Sequence, residues 1–169
     1  MANSKDTTWT RNCKEITIKA FLRLSMLTKL RYVGISTEDL INIYILYIRS
    51  VTEYCSVAFH SRLTQELSDK LERLQRTCLK VILGEKYISY DSALEKCGLQ
   101  SLYLRREKRC LDFAQKCSKH PRNQRMFPLN MCKDGRTKET YVVNWARTET
   151  YRQSAIPYCQ RLLNQHAKK

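Results

Sequence analysis

The stretch Leu40-Ile41-Asn42-Ile43-Tyr44-Ile45-Leu46-Tyr47-Ile48 decides how the rest of the chain is read. It is far shorter than the roughly 18–20 apolar residues needed to cross a bilayer. A run of this length is either a buried strand or a buried helix, and periodicity within the run does not separate the two. Its continuation does: Val51, Tyr54 and Val57 follow at helical spacing. Ser36 or Thr37 supplies the cap, and Glu38 and Asp39 lie in the first turn, where the helix dipole favours acids. Tyr44, Tyr47, Val51 and Tyr54 recur at three and four residues, so the helix is expected to be enclosed on most sides and to run to about His60. It should be the central one.

Helices flank it on both sides. Before it, Ile16, Ala20, Leu24 and Leu27 fall on one face of a helix from about Asn12 to Arg31, with Phe21 and Leu30 beside them and Gly34 at its end. After it, Thr64 caps a third helix with the stripe Leu67, Leu71, Leu74, Cys78 and Val81, closed by Gly84. A short element, Asp91 to Lys96, has Asp91 as its expected cap and Gly98 as its stop. A fourth long helix covers about Ser101 to Lys119. Its expected buried face is Leu104, Leu111 and Ala114, with Leu102 and Phe113 flanking, and Pro121 ends it.

Residues 122–151 lack periodicity. Phe127-Pro128-Leu129-Asn130 reads as a packed turn, and Tyr141-Val142-Val143 as extended. A last short helix, Ser154 to Asn164, aligns Ile156, Cys159, Leu162 and Leu163. The expected fold is all-α: four to six helices in an irregular bundle around a central apolar helix, with a less regular C-terminal segment. The bundle is assigned to 1–120, and an irregular basic extension ending in a short helix to 121–169. Composition agrees. Of 169 residues 43% are hydrophobic, enough for a core, while 4 Gly and 3 Pro are too few for a turn-rich β fold.

Charge is the strongest compositional signal. Lys and Arg number 31 against 16 Asp and Glu, a net charge of +15. Through Gly84 the count is 13 basic against 8 acidic, or +5; from Glu85 onward it is 18 against 8, or +10. Such a chain attracts polyanions, because its cations release counterions from phosphates. Nucleic acid ranks ahead of a membrane surface here, because the charge is spread over core-forming helices rather than gathered in a tail. The eight cysteines, at 13, 55, 78, 97, 110, 117, 132 and 159, mostly lie inside apolar helical patterns. With no apolar segment in Met1-Ala2-Asn3-Ser4-Lys5-Asp6, the expectation is free thiols in a reducing, intracellular compartment, nuclear or cytoplasmic.

Catalytic patterns are sparse. Only four Gly occur and none are close together, so no phosphate-cradling loop is present. His60, His120 and His166 have no nearby nucleophile pattern. Cys117-x-x-His120, with Cys110 seven residues earlier and Cys132 later, is the one weak metal candidate. It lacks a Cys-x-x-Cys pair, so buried thiols are the stronger reading and no metal or cofactor is assigned. Glu38 and Asp39 are explained by capping, and Glu107 and Asp112 by intrahelical ion pairing. No carboxylate cluster for two-metal chemistry emerges, and the chain is not expected to be an enzyme by itself.

What remains is basic. Arg105-Arg106-x-Lys108-Arg109 places four cations within about one and a half turns. Lys70, Arg73, Arg76 and Lys80 form a ridge off the apolar stripe of the third helix. A solvated face is the plain reading of any one such run. Together with Arg49 and the +10 C-terminal half, they point to phosphate contact, which positions a nucleic acid without reading its bases.

Several strings resemble the region C-terminal to the catalytic palm in reverse transcriptases of jockey-like non-LTR retrotransposons. They begin with Trp9-Thr10-x-Asn12 and Lys19-Ala20-x-x-Arg23-Leu24. The strongest is Leu46-Tyr47-Ile48-Arg49-Ser50-Val51-x-Glu53-Tyr54-Cys55, followed by His60-Ser61-x-Leu63. Leu71-Glu72-Arg73-Leu74-Gln75, Tyr90-x-x-Ala93-Leu94 and Leu99-x-x-Leu102 continue in order. Arg105-Arg106-x-x-x-x-Cys110-x-x-Phe113-Ala114, Ser154-Ala155-Ile156-Pro157-Tyr158 and Arg161-Leu162-Leu163-Asn164 complete the series. The resemblance implies a thumb and post-thumb helical segment that grips template and primer. The family's Tyr-x-Asp-Asp palm motif of RNA-directed DNA polymerase is absent from this sequence, so catalysis is not carried over. The implied partners are RNA or an RNA–DNA duplex, and the palm of a parent polymerase; a membrane is not among them. The gripping role falls on Arg49, Arg73, Arg76, Lys80, Arg105, Arg106, Lys108 and Arg109, chosen by the basic pattern rather than by known family contacts. The competing expectation is a domesticated or remnant protein–protein interaction module with no nucleic-acid role.

Overall fold

The structure, a computed structural model, describes residues 6–130 and 140–167. The fold is all-α: among the described residues the only strand-like pairing is an isolated antiparallel bridge between Leu129 and Tyr141. The chain forms two compact units, Met1–Tyr54 with Leu63–Arg105, and Cys55–Arg62 with Arg106–Lys169. This division differs from the boundary expected at residue 120. The reason lies in the helix α7 (Leu102–Lys119), whose Cys110 and Ala114 share a core with the C-terminal helix α9 (Ala155–Ala167).

In the first unit the central apolar helix is α5 (Gln65–Leu83), not the segment around Leu40–Ile48. Nine of its residues are buried, among them Leu67, Leu71, Leu74, Cys78, Leu79 and Ile82. Its ends follow the expected chemistry. The Thr64 hydroxyl accepts from the Leu67 amide at 3.3 Å, and Gly84 terminates the helix at a positive φ of 54°. Against it packs α1 (Asp6–Tyr32), longer at its start than expected, through Ala20 and Leu27. The next element, α2 (Thr37–Ile43), is capped by Ser36, whose hydroxyl accepts from the Asp39 amide at 3.2 Å.

The helix expected to run on to His60 is instead broken. A π-helical turn spans Tyr44–Arg49, followed by α3 (Ser50–Glu53). Cys55 then adopts a left-handed φ of 53°, rare for a residue with a side chain, and α4 (Ser56–Phe59) follows. The wider π turn keeps Leu40, Tyr44, Ile48 and Thr52, spaced by four, on the buried side. Leu46, Tyr47 and Tyr54 are thereby left exposed, so this helix is not enclosed on most sides. The short helix α6 (Tyr90–Lys96) is capped by Ser89 rather than Asp91, with Gly98 at φ 62° as its stop.

The second unit is less regular. Its core joins Cys110, Ala114, Phe127, Cys159, Leu162 and Leu163, with Val57 from α4. The expected face of α7 is corrected: Leu104 and Phe113 are exposed, and the buried line runs Leu102, Arg106, Cys110 and Ala114 in steps of four. A 3-10 helix, Pro121–Met126, leads to the buried Phe127, and a short turn of helix, α8 (Glu149–Arg152), precedes α9. No helix among the described residues is long and apolar enough to cross a membrane.

Candidate nucleic-acid interface

The amphipathic geometry of α5 determines which cations reach solvent. With Leu71, Leu74 and Cys78 turned inward, Arg73, Arg76 and Lys80 emerge on the opposite side, all exposed. Their spacing of three and four residues places them in one row about 10 Å long at 1.5 Å per residue. That length matches about three phosphates of one strand at 3.4 Å each.

The row is backed by aromatic rings that periodicity alone did not single out. Arg76 lies over the Tyr90 ring at 5.0 Å and Lys80 over the Tyr87 ring at 5.4 Å. Such contacts hold a cation in place at about 0.5–1 kcal/mol without neutralising it. Glu72, four residues before Arg76, is engaged elsewhere: it accepts from the Tyr90 hydroxyl and from the Tyr103 amide, each at 2.6 Å. Burial and the Glu72 carboxylate both push the Tyr90 phenol well above its ordinary range, so it stays a neutral donor. Among the described residues, Arg73, Arg76 and Lys80 form no ion pair. Lys70, one turn earlier, does pair, with Glu66 at 2.6 Å. The row therefore presents full positive charge to solvent.

Three other arginines expected in the grip have different environments. Glu53 is buried, and Arg105 closes on it with two hydrogen bonds, Nε to Oε1 at 2.5 Å and Nη2 to Oε2 at 3.2 Å. Arg49 approaches the same Oε1 at 3.9 Å and is itself mostly covered. The Glu53 hydrogen bond is the main cause that raises the Arg105 pKa. Arg106 is 0% exposed. These three are structural cations in this conformation: Glu53 claims Arg105 from 52 residues away and Arg49 from four, and burial claims Arg106. Lys108 and Arg109 are exposed on α7, in the second unit.

The weak metal candidates do not come together. Among the described residues no group of three His, Cys, Asp or Glu could hold an ion. Cys110 faces the core of the second unit, where burial pushes its thiol up to about 11. Cys117 is half-buried against the same core. His120 is exposed, and its Nδ1 accepts from the Arg122 amide at 3.3 Å as the cap of the following 3-10 helix. Cys132 lies outside the described residues. Cys78 and Cys159 are neutral core thiols as well, each pushed up to about 12 by burial.

No protein-family model matches the sequence, and neither the curated proteins nor the solved structures include a significant match.

Proposed function

We propose that the chain is a nucleic-acid-gripping segment, the thumb and post-thumb part of a jockey-like non-LTR reverse transcriptase without its catalytic palm. The observation that carries this reading is the unneutralised row Arg73, Arg76 and Lys80, with Arg76 over Tyr90 and Lys80 over Tyr87 while Glu72 is occupied elsewhere. The ordered family resemblance supplies the parent, and the row supplies the chemistry. The grip falls on phosphates of RNA or an RNA–DNA duplex, so it is insensitive to sequence. In the family that the resemblance points to, the polymerase chemistry belongs to the palm, whose Tyr-x-Asp-Asp motif does not occur among these residues.

The test is a salt titration of binding to a fluorescent RNA–DNA duplex. Affinity should fall linearly on a log–log plot against salt. Changing Arg73, Arg76 and Lys80 together to Ala should weaken binding about 10- to 100-fold at low salt and make the slope shallower by about 2–3. Arg49→Ala should leave the slope unchanged, because that cation already faces Glu53. An absent or salt-indifferent affinity overturns the proposal.

A further inference from the structure

The helix α1 has two apolar faces and only one is used. Ile16, Ala20 and Leu27 are buried, and Ala20 and Leu27 belong to the first unit's core. On the opposite side Ile18, Phe21, Leu22 and Met26 form a continuous strip at spacings of three and four, with Ile18 60% and Leu22 68% exposed. The polar residues next to it do not break the strip. The Ser25 hydroxyl donates back to the Leu22 carbonyl at 2.7 Å, and Thr28 to the Leu24 carbonyl at 3.1 Å, so both are turned onto the backbone. A contiguous exposed apolar patch on an otherwise charged surface marks an interaction site.

The charges around the strip say what covers it. Lys14 stands one turn before Ile18 and Lys29 one turn after Met26, about 22 Å apart along the axis, with Lys19 to one side; all three are exposed. The exposed Glu15 at the same end as Lys14 is paired with Arg11 at 3.3 Å, so each end keeps a net positive charge. We propose that this face docks an amphipathic helix of a protein partner, with apolar residues along one side for about two turns and carboxylates at both ends. A second copy of this chain would set lysines against lysines, on a molecule already at +15. A lipid surface fits less well, because a membrane-lying helix is strongly one-sided, whereas α1 carries apolar residues on two opposite sides with charged residues between them.

The experiment uses the full chain and two synthetic 16-residue helical peptides with the same leucine face, one ended by Glu and one by Lys. In fluorescence anisotropy the Glu-ended peptide should bind at least 10-fold more tightly. The double variant Leu22→Ser/Met26→Ser should lose at least 10-fold of that affinity, while its far-UV circular dichroism and melting curve stay as in the parent. Lys14→Glu/Lys29→Glu should reverse the preference between the peptides. Equal binding of both peptides, binding of neither, or full binding by the Ser variant overturns the proposal. So does loss, in that variant, of binding to phosphatidylcholine–phosphatidylserine vesicles by a chain that ignores the peptides, or concentration-dependent self-association that the variant abolishes.

Discussion

The two units solve the same problem, what to do with buried polar groups, by different means. In the first, carboxylates organise the polar groups: the buried Glu53 holds Arg105 and Arg49, and Glu72 collects a phenol and a backbone amide. In the second, side-chain amides of α9 bond to the backbone of irregular segments. Asn164 exchanges two hydrogen bonds with Tyr141, and Gln160 accepts from the Asn144 amide and donates to the Met126 carbonyl. The difference follows from the backbone. Regular helices satisfy most of their own amides, so the buried carboxylate of the first unit is free to pair with cations. Side chains are spent on backbone there only where a helix begins or a loop runs, as Glu72 does at Tyr103 and Gln75 at Gln100. The extended stretch around Tyr141 cannot satisfy itself and uses side chains as substitute strand partners.

The largest effect that would break this comparison comes from removing the charge at the centre of the first. Glu53→Ala leaves Arg105 and Arg49 partly buried without their counter-charge, which should destabilise the protein by about 4 kcal/mol. Urea unfolding measures it. Arg76→Ala, on the exposed row, should shift stability by less than about 0.5 kcal/mol in the same assay. A loss under about 1 kcal/mol for Glu53→Ala would mean that the pairing is solvated and the contrast between units is empty.

The same contrast explains what could be read in advance. The helix α5 was legible almost residue by residue, because its cap, stripe and closing glycine are all local signals, and the row Arg73, Arg76 and Lys80 follows from that stripe. Arg49, Arg105 and Arg106 were not separable from the row. Their fate depends on Glu53, 52 residues from Arg105 in sequence, and on burial of Arg106 in a register that hydrophobicity assigns to Leu104. An arginine on the buried line contradicts the pattern that defines the line. The π turn at Tyr44–Arg49 was hidden for a related reason: a run apolar at every position carries no phase, so a widened turn leaves no mark on it. Cys55, left-handed without being glycine, carried no warning either.

A second effect, of about 3 kcal/mol, sharpens the comparison by pH. His60 is buried in the second unit, edge-on to Tyr158 with ring centroids 5.5 Å apart. Desolvation first, and the Arg106 charge second, lower its pKa from 6.5 to about 4. The unfolded chain therefore takes up a proton near pH 6.5 while the folded chain resists until about pH 4. The contribution is complete above pH 6.5 and is lost as pH falls through the window between the two values, at about 1.4 kcal/mol per unit. Stability curves of the parent and His60→Phe isolate it, since the carboxylates are common to both. Parallel curves across that window would place His60 in water.

The smallest of the three effects tests the substitute strand pairing itself. The Asn164 Oδ1 accepts from the Tyr141 amide and its Nδ2 donates to the Tyr141 carbonyl, both at 2.9 Å, the two bonds a neighbouring strand would make. Asn164→Ala removes both at once from a buried side chain and should cost about 2 kcal/mol. Asn164→Asp keeps the acceptor and loses the donor, so it should fall between the parent and Ala only if both bonds matter. Hydrogen exchange locates the effect: protection at the Tyr141 amide should drop by at least 10-fold in Asn164→Ala. The amides at the centre of α5 should keep the protection that global stability allows. If Tyr141 exchanges alike in parent and variant, the amide of Asn164 is not its strand partner. The short bridge from Leu129 to Tyr141, with the Asn130 amide donating to the Thr140 carbonyl and the Val142 amide to the Pro128 carbonyl, would then have to hold that segment alone.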